Sequence, residues 1–232
     1  MEKYYNSQAL SPESIAVLQQ EYMTKVYGWM SGGMITTALV SWYLMDSGLN
    51  EEIGGLYWVF ALATLGIVFF LSAKVNTMEA STAKILFFVF SGLIGTTLSM
   101  ILPYYTTDAI STTFFVTTGT FGIMAYWGHT TKKDLTGMGR FMFMGLIGII
   151  LSSIVNIFIG SSALTWAVTT IGILVFSGLT AYDSQRIKEE YVLMAEGNDI
   201  AQKGAILGAL SLYLNFINLF LMLLRVIGGG RD

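Results

Sequence analysis

Seven stretches of predominantly apolar residues recur along the chain, approximately Val26 to Met45, Gly54 to Ala73, Ile85 to Leu102, Ala109 to Trp127, Phe141 to Ile159, Leu164 to Tyr182 and Ala205 to Leu224. A bilayer core about 30 Å thick needs roughly 20 helical residues to cross it, and only helices or closed barrels satisfy every backbone group without water. Barrel strands would alternate over about 10 residues, whereas these runs are apolar throughout. The pattern therefore predicts an all-α integral membrane protein, a bundle of seven transmembrane helices. Composition agrees: 54% of the 232 residues are hydrophobic and 12% charged, against roughly a quarter charged in soluble domains. Both prolines, Pro12 and Pro103, fall outside the apolar runs, as uninterrupted helices require.

The polar start, Met1 to Gln8, lacks the basic region and apolar run of a cleaved signal peptide, so the first span is expected to be retained. Ser11-Pro12-Glu13 reads as an N-cap, a first-turn proline and an acid near the helix dipole. Ile15, Leu18 and Tyr22 then share a face, which predicts an interfacial helix leading into the membrane. The chain divides into an N-terminal cytoplasmic or interfacial segment, residues 1–24, and one seven-helix transmembrane domain, residues 25–232.

Loop charge sets the expected orientation. Lys3 and Lys25, Lys74 and Lys84, Lys132, Lys133 and Arg140, and Arg186, Lys188 and Lys203 fall in alternate connections, while the intervening loops carry no Lys or Arg. The positive-inside rule places these basic connections and the N-terminus in the cytoplasm. The tail, Arg231-Asp232, would then lie outside. Arg225 and Arg231 run against the rule there, which leaves open a seventh segment that enters without crossing. Aromatic residues such as Trp42-Tyr43, Tyr104-Tyr105 and Tyr126-Trp127 cluster at the proposed boundaries.

A net charge of −3 indicates neither a nucleic-acid surface nor an acidic tail, and the absence of cysteine removes thiolate chemistry. An intramembrane aspartyl protease needs two facing acids, but the chain lacks a Gly-x-Gly-Asp segment. The lone His129 lies in the fourth-to-fifth loop, where it reads as a solvated interface residue and not as a catalytic base. With no phosphate loop and no His-rich cluster, the expectation is a non-enzymatic protein without a cofactor.

Without a hydrophobic force between helices in lipid, close packing relies on small residues. Gly28 and Gly32, then Ser91, Gly95 and Ser99, then Gly204 and Gly208 have the required spacing. In the seventh run, Gly204, Gly208, Ser211, Asn215, Asn218, Met222 and Arg225 form one small or polar stripe on an otherwise apolar helix. The stripe fits either packing with interhelical hydrogen bonds or the lining of a polar path, with Ser211 and Asn218 as pore-lining candidates. Asp183 fits either an interfacial carboxylate paired with Arg186 or an acid inside the bundle. Glu189, Glu190, Glu196 and Asp199 read as a solvated acidic face that could also attract cations.

Three segments resemble the bacterial branch of the Bax inhibitor family: Thr130 to Leu135 with Met138 to Gly148, Phe176 to Asp183, and Leu210 to Phe220. The resemblance spans Tyr27 to Gly229. It implies six helices surrounding a central C-terminal seventh, a bacterial inner-membrane location, and a pH-sensitive leak in which calcium is the permeant ion. It also implies a pH-sensing gate at Asp183 and Asn215, a latch at Lys74, and Asp183 as a calcium ligand. Asn215 departs from the family pattern, which most often has a second acid there, so the coupled titration of two carboxylates is lost. A second class of function, binding membrane proteases or other membrane proteins, is implied by some relatives. Pairing Asp183 with Asn215 also meets a geometric obstacle. With the sixth and seventh spans ending at Tyr182 and starting at Ala205, the two residues would differ in depth by roughly 13 Å.

Overall fold

Helix α1 (Pro12–Asp46) begins at the predicted cap, with the Ser11 Oγ accepting from the Ser14 amide at 3.2 Å and Pro12 in the first turn. It then continues unbroken to Asp46, so the expected interfacial segment and the first apolar run share one helix. The computed structural model describes residues 11–192 and 198–229. The expectations for Met1–Gln8, Lys3, Glu196 and Arg231-Asp232 lie outside the described residues.

The four-residue helix α2 (Leu49–Glu52) is followed by six long helices. These are α3 (Tyr57–Lys74), α4 (Ala80–Ile101), α5 (Thr107–Thr130), α6 (Thr136–Ile159), α7 (Ser162–Glu189) and α8 (Asn198–Ile227). Among the described residues there is no strand. Helices α3, α4, α6, α7 and α8 are long and apolar enough to cross a bilayer, so the chain is a multi-pass helical membrane protein. Threonines make α5 more polar, but hydroxyls such as those of Thr117 and Thr118 turn back onto the carbonyls of Thr113 and Phe114, at 2.7 and 2.8 Å. That local bonding removes their demand for water.

Helix α8 lies between two helix pairs, α1 with α4 and α5 with α7. Helix α3 packs on α4, and α6 on α7. The implied ring of six helices around a seventh is thus revised: four helices contact α8 extensively, and α3 and α6 form an outer layer. Burial follows this order. Residues all around α8 are buried, including Gly208, Ala209, Leu210, Leu212, Tyr213, Asn215, Phe216 and Ile217. Helix α3 buries only Thr64 and Leu71, and α6 only Gly139 and Ile149. Ile67 and Val68 of α3 and Met142 and Leu146 of α6 are partly buried against the core, while most of their other apolar side chains face outward, where lipid tails solvate them as well as leucine would.

Small residues set the seams, with one correction. A Cβ on Gly33 would stand 2.7 Å from the Phe87 ring, and one on Gly95 2.6 Å from the Thr37 carbonyl. Gly28 meets nothing within 4 Å, and Gly32 makes only ordinary contact with Phe88. The α1 stripe against α4 therefore runs through the buried Gly33, Thr37 and Ser41, one position beyond the predicted Gly28 and Gly32. On α4, Ser91, Gly95 and Ser99 are buried together. Between α6 and α7 the turn passes through Gly160 at φ 65°, a left-handed conformation that suits glycine.

The closest approach occurs where α5 crosses α7, since a Cβ on Gly128 would fall on the Ala181 carbonyl. Backbone cannot yield as a side-chain tip can. Gly128→Ala should therefore destabilise the purified protein by about 1–3 kcal/mol, whereas Gly119→Ala, with nothing within 4 Å, should be neutral or slightly stabilising. Thermal unfolding of the two variants in detergent checks the contrast.

Candidate functional site at the contact of the last two helices

Five contacts define an antiparallel register between α7 and α8. Arg225 Nη1 donates to Thr169 Oγ1 at 3.5 Å, Met222 covers Gly172, Asn215 Nδ2 donates to Asp183 Oδ2 at 2.7 Å, Arg186 Nη2 donates to Ser211 Oγ at 3.2 Å, and Ile187 covers Gly208. The small and polar stripe predicted on α8 is thus its α7-facing side.

This register removes the predicted depth mismatch. Helix α7 does not stop at Tyr182 but continues to Glu189, level with the start of the seventh apolar run. Asp183 lies six residues before that end, and Asn215 lies 17 residues after Asn198. At 1.5 Å per residue, α8 begins about 16 Å beyond the end of α7. Its projecting turns fasten to the connection between α3 and α4. Asp199 Oδ1 accepts from the Ala80 amide at 3.1 Å, capping α4, and Lys203 bridges Asp199 Oδ2 at 2.9 Å and the Met78 carbonyl at 3.3 Å. Asp199 is therefore a structural acid as well as an exposed one.

Asp183 is only 8% exposed, and both its oxygens are engaged. Oδ2 accepts from Asn215, itself buried, while Oδ1 lies 3.0 Å from Arg186 Nη2. The two readings of Asp183 coexist: it pairs with Arg186 one turn on and also faces α8 inside the bundle. Charge compensation by a guanidinium and a donated amide hydrogen makes a buried carboxylate tolerable in a low dielectric.

Arg186 reaches further. Its Nε lies 3.8 Å from Glu190 Oε1, and its guanidinium stands 5.8 Å from the Tyr182 ring centroid. Tyr22 of α1 donates to Glu190 Oε2 at 3.5 Å. Burial pushes the Glu190 carboxyl above its ordinary range, opposed by Arg186 and by the Tyr22 hydrogen bond, while the negative charge of Asp183 adds to the rise. Glu190 is thus half-buried in the cluster, unlike the exposed Glu189 beside it.

The segment after Asp183 is pinned from other sides. Gln185 accepts from the Leu135 amide and donates to the Lys133 carbonyl, both at 2.8 Å, and Lys188 donates to the His129 carbonyl at 2.7 Å. These bonds tie the connection between α5 and α6 to α7. His129 is half-buried, not solvated, and among the described residues its Nδ1 has no hydrogen-bond partner.

The remaining predicted residues divide. Ser211 is half-buried and joins the cluster through Arg186, whereas Asn218 bonds back to the Leu214 carbonyl of its own helix at 2.8 Å. Lys74 is exposed at the end of α3 and is not brought to Asp183, whose cationic partner is Arg186. The sequence places Glu190 on a solvated acidic face and Tyr22 on an interfacial helix face, not in this cluster, and it does not single out Gln185. For Glu190 the signal was the continuation of α7 past Tyr182, since residues three, four and seven apart then share a face; Tyr22 of α1 and Gln185 had no such local signal.

Among the described residues no group of three or more His, Cys, Asp or Glu side chains converges as a metal site. The chain matches the family described as inhibitor of apoptosis-promoting Bax1 over residues 19–232. It is 46% identical to the inner membrane protein YbhL of Escherichia coli K12 over 95% of this chain and 98% of that protein. It is 40% identical to protein RP147 of Rickettsia prowazekii over 92% of this chain and 91% of the relative. A Streptococcus pyogenes membrane protein is 36% identical, over 90% and 92% respectively.

Removing the Asn215 amide strands a buried carboxylate oxygen. Asn215→Leu should lower stability by about 1.5–3 kcal/mol, the range for hydrogen bonds to charged groups. Asn218→Leu, which loses only a bond to its own backbone, should cost much less. Reversible unfolding in detergent distinguishes them, and equal losses would refute a special role for the Asp183 contact.

Proposed function

This chain belongs to the Bax inhibitor family, and we propose that within it the protein is a passive calcium leak across a bacterial inner membrane. The observation that carries this reading is the burial of Asp183 between α7 and α8 against Asn215. Ionisable groups inside a membrane bundle are costly, and they characteristically mark ion pathways. The Asp183 carboxylate, the Asn215 amide oxygen and the Ser211 hydroxyl are hard oxygen donors of the kind calcium takes. Parting of the α7–α8 contact would expose them, and its closure would withdraw them.

In this reading α1 and α5 cross with the other five long helices, giving seven spans with the N-terminus cytoplasmic and the end of α8 outside. The location follows YbhL, whose name places that protein in an inner membrane. No resident cofactor and no covalent chemistry are required. The pH response is weak, because Asn215 cannot share a proton with Asp183 as a second acid would.

Calcium influx into liposomes containing only the purified protein tests the function. The expected result is influx well above that of empty liposomes, reduced at least severalfold by Asp183→Asn. No influx from the unaltered protein at any pH would overturn the reading.

Asn215→Asp should steepen the pH dependence between about pH 5.5 and 8, since repulsion between two carboxylates raises one apparent pKa of the pair. Superimposable profiles would show that the positions are not coupled. Orientation is checked with single cysteines in this cysteine-free chain: Asn50→Cys, Thr106→Cys and Ser161→Cys should label from outside, and Lys133→Cys only from inside.

A further inference from the structure

We propose that Arg186 is a tethered cation that competes with calcium for Asp183, and that Glu190 is the second seat that receives its guanidinium when calcium takes the first. This rests on the leak reading above and assigns that site its gate.

Asp183 and Arg186 in the last turns of α7 and Glu190 just past its end stand at i, i+3 and i+7, on one side of the chain. The guanidinium is engaged unequally. Its Nη2 lies 3.0 Å from Asp183 Oδ1 and 3.2 Å from Ser211 Oγ, whereas its Nε lies 3.8 Å from Glu190 Oε1, beyond hydrogen-bond distance. That Nε is buried and has no hydrogen-bond partner among the described residues, and Glu190 Oε1 is the acceptor it faces. A shift of about 1 Å toward Glu190 would complete this bond and loosen the one to Asp183. The Arg186 side chain is 42% exposed, which leaves it room to move.

The second seat is already built. Tyr22 of α1 donates to Glu190 Oε2, leaving Oε1 toward Arg186. Among the described residues, the charged and titratable groups that act on Glu190 are Tyr22 from α1 and Asp183 and Arg186 from α7. Helix α8 contributes the neutral Ser211 and Asn215.

Charge counting explains why two seats are needed. Two carboxylates and one guanidinium leave a net charge of −1, which attracts a cation to a site of low dielectric. Calcium bound to Asp183 with Arg186 still in place, but without Glu190, would leave +2 there, an arrangement burial penalises strongly. With Glu190 holding the guanidinium the total is +1, and Asp183 Oδ1 is free for the incoming ion. The gate needs no approach by Lys74 from α3.

The test uses the full chain, with each variant's thermal unfolding recorded first. In liposomes, Arg186→Gln should raise calcium influx about three- to fivefold, the scale of a partly exposed ion pair. Glu190→Gln should lower it by a similar factor, because the guanidinium then has no other seat. The decisive comparison is the double variant, which should behave as Arg186→Gln alone. If Glu190→Gln lowers influx equally in both backgrounds, Glu190 acts independently and the proposal fails. It fails also if Arg186→Gln leaves influx unchanged or lowers it while the charge-preserving Arg186→Lys does not differ from it. Calcium binding in detergent separates this from failure of the leak itself. If no protein conducts, yet Arg186→Gln binds calcium about three- to fivefold tighter and Asp183→Asn abolishes the gain, the competition stands and the leak reading falls. No change in binding in that case overturns the competition as well.

Discussion

The middle of helix α8 is enclosed by other helices, so the polar side-chain atoms it buries must be answered by a neighbour or left unsatisfied away from water. Two bonds meet this demand from opposite sides. Tyr213 and Asn215 are about 200° apart around the helix; the Tyr213 hydroxyl lies 2.5 Å from Thr37 Oγ1 of α1, and the Asn215 amide donates to Asp183 of α7. Together they fix both the rotation of α8 and its height. A slip of one residue would turn both groups toward apolar surface.

From that register the rest of this end of the bundle follows. Because Asp183 must meet Asn215, α8 begins well beyond the end of α7, and its first turns are left to find partners elsewhere. They find them at the start of α4, whose free amide at Ala80 accepts no help from its own N-cap residue and is capped by Asp199 instead. On α7, the residues after Asp183 point to different neighbours, Gln185 to the α5–α6 connection and Arg186 to α8. One short polar segment thus joins three parts of the bundle.

The same enclosure separates the roles of the helices. Asp183, Gln185, Arg186, Ser211 and Asn215 of α7 and α8 are bonded within the bundle, whereas α3 and α6 present mostly apolar side chains outward. A lipid-facing helix can be defined by hydropathy alone, since no specific partner is needed. An enclosed helix cannot.

That difference accounts for what was readable in advance. The seven long helices and the α8 stripe, though not the short α2 nor seven crossings, were legible because the length of an apolar run and the spacing of small or polar residues are properties of a local stretch of chain. The pairing of Asp183 with Asn215 was implied by resemblance, but hydropathy placed the end of α7 at Tyr182, since a scale of transfer energies registers Asp183, Gln185 and Arg186 as belonging in water. They are buried or half-buried because partners distant in the chain satisfy them: Asn215 and Ser211 from α8, and Leu135 and Lys133 from the α5–α6 connection. The sequence by itself determined a multi-pass helical membrane protein and which face of its last helix is polar. Only the tertiary structure decided that Arg186, and not Lys74, holds Asp183, that Glu190 stands beside them, and that α3 and α6 lie outside. Those outcomes depend on which helices approach closely enough to exchange hydrogen bonds for water, and no local pattern encodes that distance.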